Sequence, residues 1–249
     1  KEAKVTTFGG VPYTYEMLKR LRFERMHLPD LKYITQAGGK LNPKLSEEFA
    51  DICAKKDIKF YTMYGQTEAT ARISYLPSEF AKTKVGSIGI AIPGGKLWLE
   101  EDGRLIDGND ISGELVYSGD NVTLGYAESR VDLAKGDDNN GVLYTGDVAT
   151  RDKDGFYYVV GRKKRFLKIF GNRVNLSEIE HLVRTMGYDS ACVGIDDNLK
   201  IYVTSKEEHQ RIRSEISRLT GINQAGFSVK YISIIPRNEV GKILYSELE

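Results

Sequence analysis

Excess charge of one sign is missing from this sequence. Its 36 basic residues stand against 35 acidic ones, a formal +1, so no whole-chain field draws it to nucleic acid or to an anionic lipid surface. Any phosphate chemistry has to be local. Cysteine is scarce as well: Cys53 and Cys192 match no metal-ligand spacing, and one falls in a helical pattern and the other in an apolar run. Both read as small buried hydrophobes. No apolar run approaches the ~20 residues of a membrane-spanning helix, and no charged-then-apolar signal opens the chain, so a cytoplasmic setting is the default expectation. Internal repeats and low-complexity tracts are absent too. The first residue is Lys1 rather than methionine and lies close to a strand and turn, the pattern of an excised piece. What is present, 249 residues with 41% hydrophobic content, suffices for one large domain or two modest ones around a buried core.

From residue 1 to 76 helical and strand-like segments alternate, which predicts βα units and a parallel sheet. Asn42-Pro43 starts a helix whose Leu45, Phe49 and Ile52 recur at helical spacing, with Glu47 and Glu48 early and Lys55 and Lys56 late, as the helix dipole favours. The helix feeds a strand at Lys59–Tyr64. From 77 to 160 short strands alternate with Gly-rich turns, Asp102-Gly103 and Asp154-Gly155 being hairpin corners; a small β-barrel or sandwich is expected. Residues 161–249 read as a compact α+β unit. Asn175 and Glu178 suggest a capping box before the stripe Ile179, Leu182, Val183, Met186, which Gly187 ends. Strands at 191–195, 201–204 and 229–235 and a helix at 207–219 complete it.

Tyr64-Gly65-Gln66-Thr67-Glu68 directly follows a strand, the end at which open α/β sheets bind ligands. Its parts suit a nucleotide: a ring to stack on a base, a glycine for close backbone approach, a hydroxyl for a phosphate and a carboxylate for Mg²⁺ beside phosphate oxygens. A strand ending in an ordinary polar turn is the competing reading. Tyr144-Thr145-Gly146-Asp147 again ends an apolar run in a turn with a carboxylate; Asp147 can accept both hydroxyls of a ribose, or simply form the turn. Six cations lie between Arg162 and Arg173. A nucleic-acid patch, a membrane patch and a solvated face are all open to them, but interleaved Phe166, Leu167, Ile169 and Phe170 favour a strand. Lys242 follows Gly241 near the end and alone reads as a surface lysine.

In order and spacing these pieces resemble the adenylate-forming superfamily of acyl-CoA synthetases, luciferases and peptide-synthetase adenylation domains. The segments that carry the likeness are Tyr64 to Glu68, Gly113-Glu114-Leu115 with Gly119 and Gly125-Tyr126, Tyr144 to Asp147, Gly161-Arg162, Lys168 to Glu180, and Gly241-Lys242. The resemblance implies an α/β part (1–76) and a β-rich part (77–160) of a large adenylation domain, then a mobile lid (161–249) with its hinge at Lys164. It implies ATP, Mg²⁺ and CoA, and as substrate a small-molecule carboxylate, a fatty or other acyl acid. Tyr64 would stack on the adenine, with Gly38-Gly39-Lys40 along its other side and Gly65 and Gln66 in the same nucleotide-binding stretch. Thr67 would touch the α-phosphate, Glu68 would help hold Mg²⁺, and Asp147 and Arg162 would grip the ribose. Lys242 would bridge carboxylate and α-phosphate during adenylation. Lys168, Gly171 and Arg173 would serve thioester formation, Gly171 lining the thiol's approach and Arg173 lying near the CoA phosphates. The family's Ser/Thr/Gly-rich phosphate loop has no counterpart here and would precede Lys1; of the acyl pocket only Phe8, Gly9, Gly38 and the region near Gly65 remain. The fragment alone is expected to be inactive. Two other readings stand beside the CoA ligase: transfer to the phosphopantetheine of an acyl carrier protein, and a nucleotide-binding fragment without chemistry.

Overall fold

The computed structural model describes residues 4–238 and 241–248. The chain divides into two units, Lys1–Val160 and Gly161–Glu249.

In the first unit β1 (Thr7–Gly10), β2 (Tyr33–Gln36) and β3 (Lys59–Tyr64) run parallel, linked through α1 (Pro12–Arg20) and α2 (Pro43–Lys55). Pro43 sits at the first helical position of α2, where no N–H is needed, and Asn42 Oδ1 accepts from the Lys44 N–H at 3.0 Å. Tyr15 of α1 and Leu45, Phe49 and Cys53 of α2 share one buried cluster with Ile34 and Phe60. Both crossovers therefore cover the same face. The opposite face carries Tyr33, Tyr61 and Tyr75, successive ring centroids 6.0 and 6.4 Å apart. β4 (Ser74–Leu76) and β5 (Ile90–Ala91) extend the sheet antiparallel.

The second sheet contains β6 (Lys96–Glu101), β7 (Arg104–Leu105), β8 (Gly113–Ser118), β9 (Val142–Arg151) and β10 (Tyr157–Arg162), in the order β10-β9-β8-β6-β7. A small barrel or sandwich is the expectation; among the described residues no barrel closure is seen, β10 and β7 ending the order of this sheet and Tyr157 of β10 bridging further to Gly89. Closure requires every strand to have two neighbours over a shared length, and the Asp102-Gly103 corner leaves β7 only two residues. At the Asp154-Gly155 corner, Asp152 Oδ1 accepts from the N–H groups of Asp154 and Phe156 at 3.0 and 2.9 Å. Lys84 ties this turn down through Asp152 at 2.7 Å and Asp154 at 2.5 Å.

The second unit opens with a hairpin of β11 (Phe166–Ile169) and β12 (Asn172–Asn175). Phe170 (φ +48°) and Gly171 (φ +83°) form its two-residue turn, both left-handed as a type I′ connection demands. α3 (Leu176–Thr185), β13 (Ser190–Ile195), β14 (Asn198–Val203), α4 (His209–Thr220) and β15 (Phe227–Tyr231) follow. Ile179, Val183, Cys192, Ile201, Ile212 and Ile216 form the centre of the core. Asn175 caps α3 by accepting from the Ser177 N–H at 3.0 Å, one residue short of the capping-box position. β15 starts two residues before the apolar pattern suggests and ends at Tyr231, where its parallel partner β14 stops at Val203. Both cysteines are buried free thiols, and burial pushes each thiol up, Cys53 to about 12. Among the described residues no helix is long and apolar enough to cross a membrane.

Candidate nucleotide site

Tyr64 closes β3, and the chain turns immediately at Gly65. A Cβ there would lie 2.2 Å from the Ala71 carbonyl oxygen, so the turn admits only glycine. Thr67–Ala69 then makes one short 3-10 turn. Asn121 clasps it from the far side, donating to the Ala69 and Arg72 carbonyls at 2.6 and 2.7 Å and accepting from the Tyr117 hydroxyl at 2.7 Å. Thr67 is exposed on this turn. Glu68 is half-buried and its carboxylate accepts from the Tyr126 hydroxyl.

β9 brings Asp147 against the same strand end. Tyr64 donates its hydroxyl to Asp147 Oδ2 at 2.6 Å, and Gln66 Nε2 donates to the same oxygen at 3.1 Å and to the Thr145 carbonyl at 2.9 Å. Thr145 Oγ1 donates to the Leu115 carbonyl at 2.7 Å and accepts from the Asp147 N–H at 3.1 Å. Asp147 is 4% exposed. A carboxylate so far from water has to be hydrogen-bonded, and the Tyr64 and Gln66 donors supply that. Burial, and then the Asp147 charge, push the Tyr64 hydroxyl far above its ordinary value. The structure thus joins two motifs that lie 83 residues apart.

Gly38 (φ +77°) and Gly39 form the turn after β2. The buried Gln36 holds it, donating to the Gly39 carbonyl at 2.7 Å, while Lys40 Nζ donates to the Val159 carbonyl at 3.2 Å. Neither Gln36 nor Asn121 was among the expected site residues. Gln36 had a signal: it shares the core-facing parity of Ile34 in β2, where a polar side chain demands a partner.

The remaining expected residues lie at the end of β10 or in the second unit. Arg162 is exposed at the end of β10. Lys168 and Arg173 are paired across the β11–β12 hairpin with Gly171 in its turn; the Lys168 N–H donates to Asp196 Oδ1 at 2.7 Å and the Arg173 guanidinium lies 4.2 Å from the Phe166 ring centroid. Arg165 leaves the cationic surface altogether, pairing with the buried Glu180 at 2.5 Å. Lys164 lies in the 3-10 turn Lys163–Arg165, its side chain outside the described residues. Lys242 is exposed in a loop where its N–H donates to Asn238 Oδ1 at 2.9 Å and its carbonyl accepts from the Asn238 N–H at 2.9 Å.

Residues 1–127 match the family model described as AMP-binding enzyme. A 2-succinylbenzoate–CoA ligase of Geobacillus sp. (strain WCH70) is 29% identical over 257 residues, 99% of this chain and 51% of the ligase. A 4-hydroxybutyrate–CoA ligase of Metallosphaera sedula is 27% identical, with 98% and 45% covered. The chain spans about half the length of the curated relatives it matches. Among solved structures, the O-succinylbenzoate coenzyme A synthetase of Bacillus subtilis in complex with AMP superposes with a TM-score of 0.77 at 22% identity, over 100% of this chain and 51% of that one; the same enzyme with ATP and magnesium ion gives 0.73 at 23%, over 99% and 52%.

Proposed function

Because the chain belongs to the AMP-binding enzyme family, we propose that the full-length protein carrying it is an AMP-forming acyl-CoA ligase that activates a carboxylic acid with ATP and passes the acyl group to CoA. The observation that carries this reading is the Tyr64–Gln66–Asp147 group, an aromatic ring and a buried carboxylate locked together at the end of a sheet strand. In the proposed complex the Tyr64 ring stacks on adenine, with Gly38, Gly39 and Lys40 along its other side. Asp147 and Arg162 hold the ribose. Asp147 does so while one of its oxygens keeps the tyrosine and glutamine donors.

Thr67 reaches the α-phosphate from its exposed turn. The donor set suits magnesium: Glu68 offers one hard carboxylate, and Mg²⁺ is commonly held by one or two carboxylates plus substrate phosphates. The ion supplies charge neutralisation at the phosphates. Adenylation joins a carboxylate to a phosphate, two anions, and the Lys242 ammonium between them offsets a repulsion that grows toward the transition state. The bond from the α- to the β-phosphate breaks, and the β- and γ-phosphates leave together as pyrophosphate. The second unit then turns about Lys164 and presents Lys168, Gly171 and Arg173 for attack of the CoA thiol on the acyl-adenylate, with AMP leaving.

The test is pyrophosphate release by the full-length protein with a panel of acids that includes 2-succinylbenzoate, 4-hydroxybutyrate and fatty acids, with and without CoA. Acid-dependent release followed by CoA thioester is expected. Release with transfer only to a carrier-protein phosphopantetheine would change the acceptor. No release with any acid would leave a nucleotide-binding protein without this chemistry.

A further inference from the structure

Among the described residues, the most deeply buried charge of the second unit serves none of the roles described so far. Glu180, on α3, is 5% exposed. Its Oε1 accepts from Arg165 Nη2 at 2.5 Å and from the Cys192 N–H at 2.7 Å, and its Oε2 accepts from the Tyr245 hydroxyl at 3.1 Å. Arg165 also donates to the Cys192 carbonyl at 2.5 Å, and its guanidinium lies 3.8 Å from the centroid of the Tyr245 ring. One carboxylate therefore joins the segment entering the unit, helix α3, strand β13 and the C-terminal turn Tyr245–Glu247.

Buried ion pairs add little net stability, because desolvation cancels most of the attraction. Their best-attested benefit is to fix one arrangement among several. Here the element fixed is short and exposed. Lys242 lies three residues before Tyr245, in a loop closed by the Asn238 bonds, by the Arg237–Ile243 bridge and by the Leu244 N–H to the Pro236 carbonyl at 2.9 Å. The loop has a second tether, Arg237 to Asp189 at 2.7 Å, but that one leads to the surface. Inward, Ile243 and Leu248 pack on Ala191 and Val193 of β13, and among the described contacts the Tyr245 tether is the polar one that reaches the residue following Lys164.

We propose that the Arg165–Glu180–Tyr245 cluster is a positioning unit that locks the Lys242 loop to the entry segment of its unit, so that the two move as one body. Its catalytic consequence rests on the adenylation role assigned to Lys242. Tyr245 and Glu180 touch no reacting atom; they set where the ammonium can go. A rotating lid delivers a lysine accurately only if the lysine is rigid with respect to the axis, and this cluster supplies a directional polar link between the two beside the apolar packing of Ile243 and Leu248 on β13.

The test compares Tyr245→Phe, which keeps the ring over Arg165, with Tyr245→Ala in the full-length protein. Amide hydrogen exchange is expected to accelerate at least tenfold at Lys242 and Leu244 in Tyr245→Ala, less in Tyr245→Phe, with Ile201 and Val203 of β14 unchanged. Acid-dependent ATP–pyrophosphate exchange should fall about tenfold in kcat with KM for ATP constant, while thioester formation from presynthesised acyl-adenylate stays within twofold. Unchanged exchange at Lys242, or equal acceleration across the whole unit, overturns the proposal. Lys242→Ala run in parallel separates the two claims: if that variant keeps pyrophosphate exchange the role of Lys242 fails, whereas the amide pattern judges the tether by itself.

Discussion

Replacing Tyr64 by phenylalanine separates the two jobs assigned to this side chain. The hydroxyl makes a 2.6 Å bond to a buried carboxylate, and bonds to charged groups are worth about 1.5–3 kcal/mol. Gln66 still donates to the same oxygen at 3.1 Å, so Asp147 does not become an unpaired buried charge, and the lower end applies, about 1.5–2 kcal/mol. Trp98, the single tryptophan, lies in β6 of the same unit, so its fluorescence during urea unfolding reads this loss directly. Nucleotide binding should behave differently. Stacking of a base on an aromatic ring contributes about 1–3 kcal/mol, and the phenylalanine retains the ring. In the full-length protein, Tyr64→Phe should hold AMP within about threefold of the parent while Tyr64→Ala loses about 5- to 150-fold. If phenylalanine weakens AMP as much as alanine does, the hydroxyl–carboxylate contact carries the affinity and the stacking role is wrong.

Tyr15 is fully buried, and among the described residues its hydroxyl has no hydrogen-bond partner; Tyr15→Phe should stabilise the chain by about 1 kcal/mol, a rise in Tm of about 2–4 °C, and a fall of that size would mean the hydroxyl has a partner in solution. Burial raises Tyr245 and Cys53 to about 12 from ordinary values of 10.0 and 9.0. The folded state then keeps protons that the unfolded state has released, so stability is complete below about pH 9 and falls as pH rises toward 12. An unfolding free energy flat from pH 9 to 12 contradicts this. In the full-length protein, if Lys242 has the adenylation role proposed for it, Lys242→Ala should cost about 2.7–4 kcal/mol in adenylation, a hundred- to a thousand-fold, and spare thioester formation from presynthesised acyl-adenylate. Lys168→Ala should do the reverse. Equal effects of either variant on both steps would assign both lysines a shared structural role.

Local chemistry made part of this readable in advance. The strand at Lys59–Tyr64, the Asn42-Pro43 helix start and the stripe of α3 follow from periodicity and caps, which depend on neighbours a few residues away. The pairing of Tyr64 with Asp147 does not. Each motif could be assigned a ligand, but that they grip one another is a fact of the end of β3 in one sheet meeting Asp147 of β9 in the other. The same holds for Arg165, read as part of a cationic surface and found inside with Glu180, since charge counting along the chain is blind to an acid 15 residues on. Strand ends such as that of β15 were missed because a neighbour's length, and not the strand's own composition, decides where a ladder stops.

Tyr64 and Gln66 both donate to Asp147 in a buried strand. Immobilising a side chain at a binding interface costs about 0.5–1.5 kcal/mol, and for this carboxylate that ordering has already happened when the chain folds. Stiffness also changes what the group can reject. A mobile carboxylate facing a sugar with one hydroxyl missing swings away and hydrates; a fixed one stays where it is, with an acceptor facing nothing. Under the ribose role proposed for Asp147, preorganisation at this point would turn a modest contact into discrimination between ribose and its deoxy counterpart.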